Sequence, residues 1–251
     1  MKDSERVVVI GTGPAAAAAA VVLSEAGHVP LLIEAGSANA RLGLTARVRG
    51  LTLAKVRPPL ARRVDLTMRG DPKAELLEEL APGGLSNHWA CAVPRFSPDD
   101  FADASSAGVE YTWPLGYAAL APWYDRIEPL LHIAGAIGSV PSLPAGRFQD
   151  RWSLAPEWAR VASELSARGR DLIAMPYAYG SETILTRSAT AFNAYTRLIK
   201  PILRRGGLSV RHDSRAESLE WSNTERRVVA VHCRDTRTGA GLRIPCRAVV
   251  R

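Results

Sequence analysis

An α/β fold that opens on a parallel sheet is predicted by three features of this 251-residue chain. Val7-Val8-Val9-Ile10 is an aliphatic run without polar alternation, as expected of a strand covered on both faces. It breaks at Gly11-Thr12-Gly13-Pro14-Ala15-Ala16 and leads into an alanine-rich helix. Near the C-terminus, apolar residues alternate with period two across turn residues, which predicts antiparallel strands.

The helix is expected over 14–25. Pro14 occupies its first turn, where a missing N–H costs nothing, and Gly27 stands where a left-handed C′ residue would end it. Val29–Ile33 reads as a second strand, with Glu34 at its end. Each position in the turn has a physical job. Gly11 permits the tight turn, Gly13 lets backbone approach a pyrophosphate, and Ala16 keeps helix and strand close. Behind Pro14, which has no N–H, the free amides of Ala15 and Ala16 and the helix dipole would face that anion. Glu34 would accept hydrogen bonds from an adenosine ribose and argues against a 2′-phosphate. Strand, turn, helix, strand and acid in register predict a Rossmann-like dinucleotide site; NAD and FAD both fit it to this point.

Composition bounds the rest. Hydrophobic residues make up 47% and charged residues 23%, as in a globular protein. No apolar run approaches the roughly 20 residues that span a bilayer, and the N-terminus runs directly into a strand, so no membrane segment and a cytoplasmic location are expected. The net charge of +7 comes from scattered arginines, with only four lysines and no nucleic-acid motif, so no nucleic-acid partner is expected. Cys91, Cys233 and Cys246 lack metal-ligand spacing and are expected to be buried thiols, with no metal site.

Downstream comes Pro82-Gly83-Gly84-Leu85-Ser86-Asn87-His88-Trp89-Ala90-Cys91-Ala92-Val93-Pro94-Arg95-Phe96. This segment resembles the flavin-contacting stretch of the glucose–methanol–choline (GMC) oxidoreductases, and within them that of the pyranose oxidases. Trp113-Pro114 through Glu128 is similar to a second stretch of that family. Independently, Leu120, Tyr124, Ile127 and Leu131 recur at helical spacing, and their aromatic neighbours read as core packing. A helix over 192–203, then strand-like runs in 208–219, at Val229/Val231/Cys233 and at Leu242/Ile244/Cys246, match the β-meander that closes the FAD domain in that family.

The resemblance implies an α/β, FAD-binding Rossmann-like domain: a ββα sandwich with a β-meander, spanning 1–96 and 200–251. Residues 97–199 would form a flavin-covering segment and the start of a substrate region. It implies FAD as cofactor, with Gly83 and Gly84 admitting the ring, Ser86 and Asn87 hydrogen-bonding beside it, and backbone near Ala216 against adenine. His88 matches a histidine that some pyranose oxidases link to the flavin; a non-covalent contact and a structural role stay open. Ala90 stands where those enzymes carry threonine near flavin N5, which leaves O2 and another electron acceptor equally open.

The activity implied is oxidation of a CH–OH group of a sugar, glycoside or aminocyclitol by hydride transfer to flavin N5. The family's catalytic histidine is expected beyond Arg251, and Ala248-Val249-Val250 reads as a buried strand that relatives continue. The chain is therefore expected to be the N-terminal part of a longer enzyme or a truncated gene product, to bind FAD poorly or incompletely and to turn over nothing alone. Rival readings are an NAD-dependent dehydrogenase and a non-catalytic dinucleotide-binding fragment.

Overall fold

The computed structural model describes residues 6–38, 61–62, 77–87, 89–102, 113–136, 140, 143–148, 150–178 and 192–251. They fall into two compact units, Met1–Trp89 with Arg187–Arg251, and Ala90–Thr186.

The first unit is a three-layer sandwich. Strand β1 (Val7–Ile10) leads into helix α1 (Pro14–Glu25) and strand β2 (Leu31–Ile33). A π-helical turn (Tyr195–Ile199) precedes helix α2 (Lys200–Arg204) and strand β3 (Ser209–Arg211). Strands β4 (Ser214–Ser222), β5 (Arg227–Asp235) and β6 (Gly241–Pro245) follow, and β7 (Ala248–Val250) is last. Strands β7-β1-β2-β3 form an all-parallel sheet, and β6-β5-β4 form an antiparallel meander. Two-residue periodicity sorts the parallel sheet's side chains. Val8 and Ile33, joined by Ile10, Leu31 and Val249, pack on the meander's Val231, Cys233, Ile244 and Cys246. Val9 and Leu32, also buried, point to the opposite face. There α1 packs on β1, burying Ala16, Ala17, Ala20 and Val21.

Helix α1 has the bounds read from the sequence. It ends at Gly27, φ +81, where the His28 N–H returns to the Leu23 carbonyl at 2.9 Å. Four expectations change in detail. Strand β2 begins at Leu31 rather than Val29, because Pro30 has no N–H to donate to a ladder. The expected helix over 192–203 holds a π turn directly before Pro201, the residue that cannot supply an i→i−4 donor. The run 208–219 is two strands in two layers, parted by Asp213 at φ +54. Strand β7 is half-buried rather than buried: among the described residues it pairs with β1 alone, and it sets Val249 on the meander while Ala248 faces solvent.

In the second unit, Ile133–Ala136 pairs parallel with Asp150–Trp152 and antiparallel with Tyr177–Ala178. The expected helix after Pro114 runs over Tyr117–Leu131 and contains Pro122 and Pro129. Its apolar stripe is only half-buried. The buried residue of this helix is Glu128, 2% exposed, whose carboxylate accepts two hydrogen bonds from Arg95 at 2.6 and 2.7 Å. Of the aromatics expected to pack in a core, Trp113 and Trp123 are exposed. Within this unit Cys91 and Val93 hydrogen-bond with Ala178 and Pro176, while in the first unit the π turn packs on α1.

The meander's outer surface offers a pH test. Arg243 binds both oxygens of Glu220, at 2.7 and 2.8 Å, and His232 lies 2.9 Å away. These partners, Arg243 foremost, hold the Glu220 carboxyl down to about 2 from its ordinary 4.5. A depressed folded value means that the contribution is complete above 4.5 and is lost as pH falls through about 2. Carboxyl-selective NMR titration should show this, and Arg243→Leu should return the midpoint toward 4.5.

Candidate functional site: a cleft built on two glycine turns

Two glycine turns meet at the N-terminus of α1. At Gly11 the backbone adopts φ +90, which demands glycine. Gly13, the N-cap, has φ −69, which any residue adopts, and makes no side-chain capping bond. A Cβ added to Gly13 would come no nearer to other atoms than 4.0 Å, to the Gly83 carbonyl. Neither backbone conformation nor packing requires glycine there, so the open space belongs to whatever approaches the helix end. The second turn, Pro82–Gly84, lies alongside: a Cβ on Gly84 would sit 3.7 Å from the Gly13 Cα. Pro14 and Ala15 open α1, and Ala16 is buried below, the close packing expected of it.

Glu34 is 5% exposed at the end of β2. Its N–H donates to Arg211 and its carbonyl accepts from Ser214, so neighbouring β3 and β4 fix its backbone. Oε1 accepts the Gly36 N–H at 2.7 Å, and Oε2 accepts the Thr12 hydroxyl. Burial pushes the Glu34 carboxyl up, and those two hydrogen bonds pull against it. Each oxygen keeps a lone pair, so the carboxylate can still receive a vicinal diol.

Glycine turn, Glu34 and meander line one cleft of about 760 Å³, a size suited to a small-molecule ligand. Gly11–Gly13 and Gly84 form one end, Glu34 and Ala35 the middle, and Arg215–Leu219 of β4 a wall that includes Ala216. The wall carries mixed charge: Arg234 pairs with Glu217 at 2.6 Å, and Arg215 approaches Glu78 at 3.8 Å. This set suits the diphosphate and adenosine of a dinucleotide: amide donors and a bare backbone at the helix end, then a diol acceptor, then an extended strand.

The second glycine turn is clamped from behind. Ser86 Oγ donates to the Gly83 carbonyl at 2.6 Å and accepts the Ala194 N–H at 3.1 Å. Asn87 donates to the Gly84 carbonyl at 2.9 Å and accepts from Asn193 at 2.6 Å. Asn193 also accepts from the N–H and hydroxyl of Thr196. The hydrogen-bonding capacity expected of Ser86 and Asn87 toward a cofactor is thus spent largely on the protein. Trp89 donates to the Phe192 carbonyl at 2.9 Å and packs edge-on to the Phe192 ring. His88 lies outside the described residues. Ala90 is exposed and belongs to the second unit.

Two contributors escaped the sequence reading. Thr12 carried a signal, a hydroxyl between two glycines, whereas Asn193 carried none. Among the described residues no cluster of His, Cys, Asp or Glu could hold a metal, and no helix is long and apolar enough to cross a membrane.

The class defined by this fold and cleft is an α/β protein with a meander layer over its parallel sheet and a cleft at the N-terminus of its first helix. No family model matches the chain. A 2-methyl-1,2-propanediol dehydrogenase from Mycolicibacterium austroafricanum is 28% identical over 274 residues, covering 99% of this chain and 48% of that protein. A fructose dehydrogenase large subunit from Gluconobacter japonicus is 29% identical over 103 residues, 40% of this chain and 15% of its own length. Among solved structures, a pyridoxine 4-oxidase from Mesorbium loti superposes with a TM-score of 0.61 at 18% identity, over 98% of this chain and 48% of its own. A fungal aryl-alcohol oxidase gives 0.62 at 14% identity (99% and 45%), and an FAD-dependent oxidoreductase from Chaetomium thermophilum 0.59 at 14% (97% and 44%). These relatives and neighbours are GMC-type oxidoreductases, so the resemblance to that family at large is borne out, while none of them is a pyranose oxidase, and the chain has the fold of their FAD-binding domains. The chain spans about half the length of the relative and the structures it matches along almost its whole length.

Proposed function

We propose that this chain is the cofactor-binding portion of an FAD-dependent oxidoreductase that oxidises a CH–OH group. The observation that carries this reading is the meeting of Gly13 and Gly84 at the N-terminus of α1, in the same cleft as Glu34. Bound there, FAD would supply the hydride acceptor. The chain's own residues would hold the diphosphate on the α1 amides, seat the ribose on Glu34 and line the adenine with β4 near Ala216. The described histidines His28, His132, His212 and His232 do not line the cleft, so the proposal assigns this chain cofactor binding rather than proton abstraction.

The 83–96 motif supports a finer reading: a sugar, glycoside or aminocyclitol as substrate, O2 or another acceptor as oxidant, and a covalent link to FAD at His88. Acid precipitation after FAD loading separates the last possibility, since flavin left in the supernatant excludes a link. The domain assignment 1–96 with 200–251 for FAD remains part of the proposal. Three buried free thiols are in keeping with a cytoplasmic setting.

Calorimetry with FAD, ADP and NADP tests the cofactor reading on the purified chain. FAD and ADP should bind and NADP should not. Glu34→Gln should weaken FAD by about 10- to 100-fold, the worth of losing a charge-assisted acceptor. No binding of ADP to the native chain would sink the proposal. Dye reduction by the chain with an alcohol would overturn its restriction to cofactor binding.

A further inference from the structure

We propose that Thr12 is a positioning residue for the nucleotide, its hydroxyl locking Glu34 as a diol acceptor and joining it to the second glycine turn. The proposal rests on the assignment of Glu34 to the ribose.

The direction of the hydrogen bonds carries the argument. The Gly83 N–H points at Thr12 Oγ1 at 2.9 Å, and an N–H can only donate. Oγ1 must therefore accept there, and its single hydrogen is free to go to Glu34 Oε2. On the other oxygen, Oε1, the Gly36 N–H again can only donate. Oε1 faces an obligate donor and Oε2 a hydroxyl whose hydrogen is free for it, so both bonds favour the unprotonated form against the burial that pushes the carboxyl up. That form is the one that can accept both hydroxyls of a vicinal diol. The relay also fixes the carboxylate's rotation, because its two anchors approach from different segments, one on the α1 turn and one just beyond β2.

Thr12 is itself 1% exposed, so its hydroxyl has little access to solvent as an alternative partner. The relay links positions 12, 34 and 83, and places the ribose acceptor and the second glycine turn under one side chain. Valine has nearly the shape of threonine and can neither donate nor accept here; serine can do both.

The test compares ADP with 2′-deoxy-ADP, and FAD, on the full chain and its Thr12→Val, Thr12→Ser and Glu34→Gln variants. The native protein should prefer ADP. Thr12→Val should weaken FAD by about tenfold and compress the ADP preference toward unity, whereas Thr12→Ser should stay within about threefold of native on both measures. A purely structural role would lower both nucleotides equally and leave the ratio intact, which would overturn the proposal. So would a Thr12→Val protein that binds like the native one. If the native protein shows no ADP preference and Glu34→Gln changes nothing, the ribose assignment fails and the proposal falls with it. Should Thr12→Val not fold, Thr12→Ala, a smaller residue that also lacks the hydroxyl, gives the same ratio.

Discussion

Arg95→Ala should lower the stability of the unit Ala90–Thr186 by about 3–5 kcal/mol, measured by urea unfolding at neutral pH. Arg95 is buried and binds both oxygens of Glu128, one oxygen of Asp125 and the Tyr117 hydroxyl, and its guanidinium lies 5.4 Å from the centre of the Tyr124 ring. Its removal leaves the Glu128 carboxylate buried, with the Arg147 N–H at 2.6 Å as its remaining donor among the described residues. The energy is largely the penalty of that stranded charge, so Arg95→Met with Glu128→Leu should recover most of it. Asp125 adds a pH signature. Arg95 holds its carboxyl below the ordinary 3.8, so this part of the stability is present above 3.8 and is lost as pH falls through the folded value. The gap between native and variant should accordingly narrow in acid.

Gly83→Ala should cost the other unit about 2–4 kcal/mol, from two sources that add. Gly83 has φ +99, outside the left-handed basin that alanine tolerates, and a Cβ there would lie 2.3 Å from Asn193 Nδ2. Asn193 cannot step aside without releasing Asn87 and Thr196. Gly84→Ala is the control. Its φ of +55 lies in that basin and its Cβ would meet nothing nearer than the Gly13 Cα at 3.7 Å, so the cost should be only about 1–2 kcal/mol. The two variants should separate folding from binding. Gly83→Ala should shift the urea midpoint strongly, while Gly84→Ala should chiefly lower FAD occupancy, because its methyl enters the space between the two turns.

Much of the first unit was legible because its rules are local. A strand without alternation, a proline in the first helical turn, a C′ glycine and an acid at the second strand's end all act within about 30 residues. They located α1 and placed Gly11, Gly13 and Glu34 around one cleft, whose wall includes Ala216, a residue that only the family resemblance pointed to. The meander itself was visible as alternation at Val229–Cys233 and Leu242–Cys246. The same period-based reasoning misjudged the helix Tyr117–Leu131, because it assigns burial to apolar residues and cannot see that a guanidinium elsewhere would make Glu128 the best-buried side chain.

The chain's sequence determined which elements form and which backbone positions must be glycine for conformation, since propensity, period and φ are properties of a residue and its near neighbours. Only the tertiary structure decided what those elements hold together. Thr12 reaches Gly83 across 71 positions and Asn193 reaches Asn87 across 106, distances at which no spacing rule operates. Gly13 differs from Gly11 in the same way: its backbone is ordinary, and its lack of a side chain acquires meaning only when folding brings Gly84 alongside and leaves the end of the helix bare.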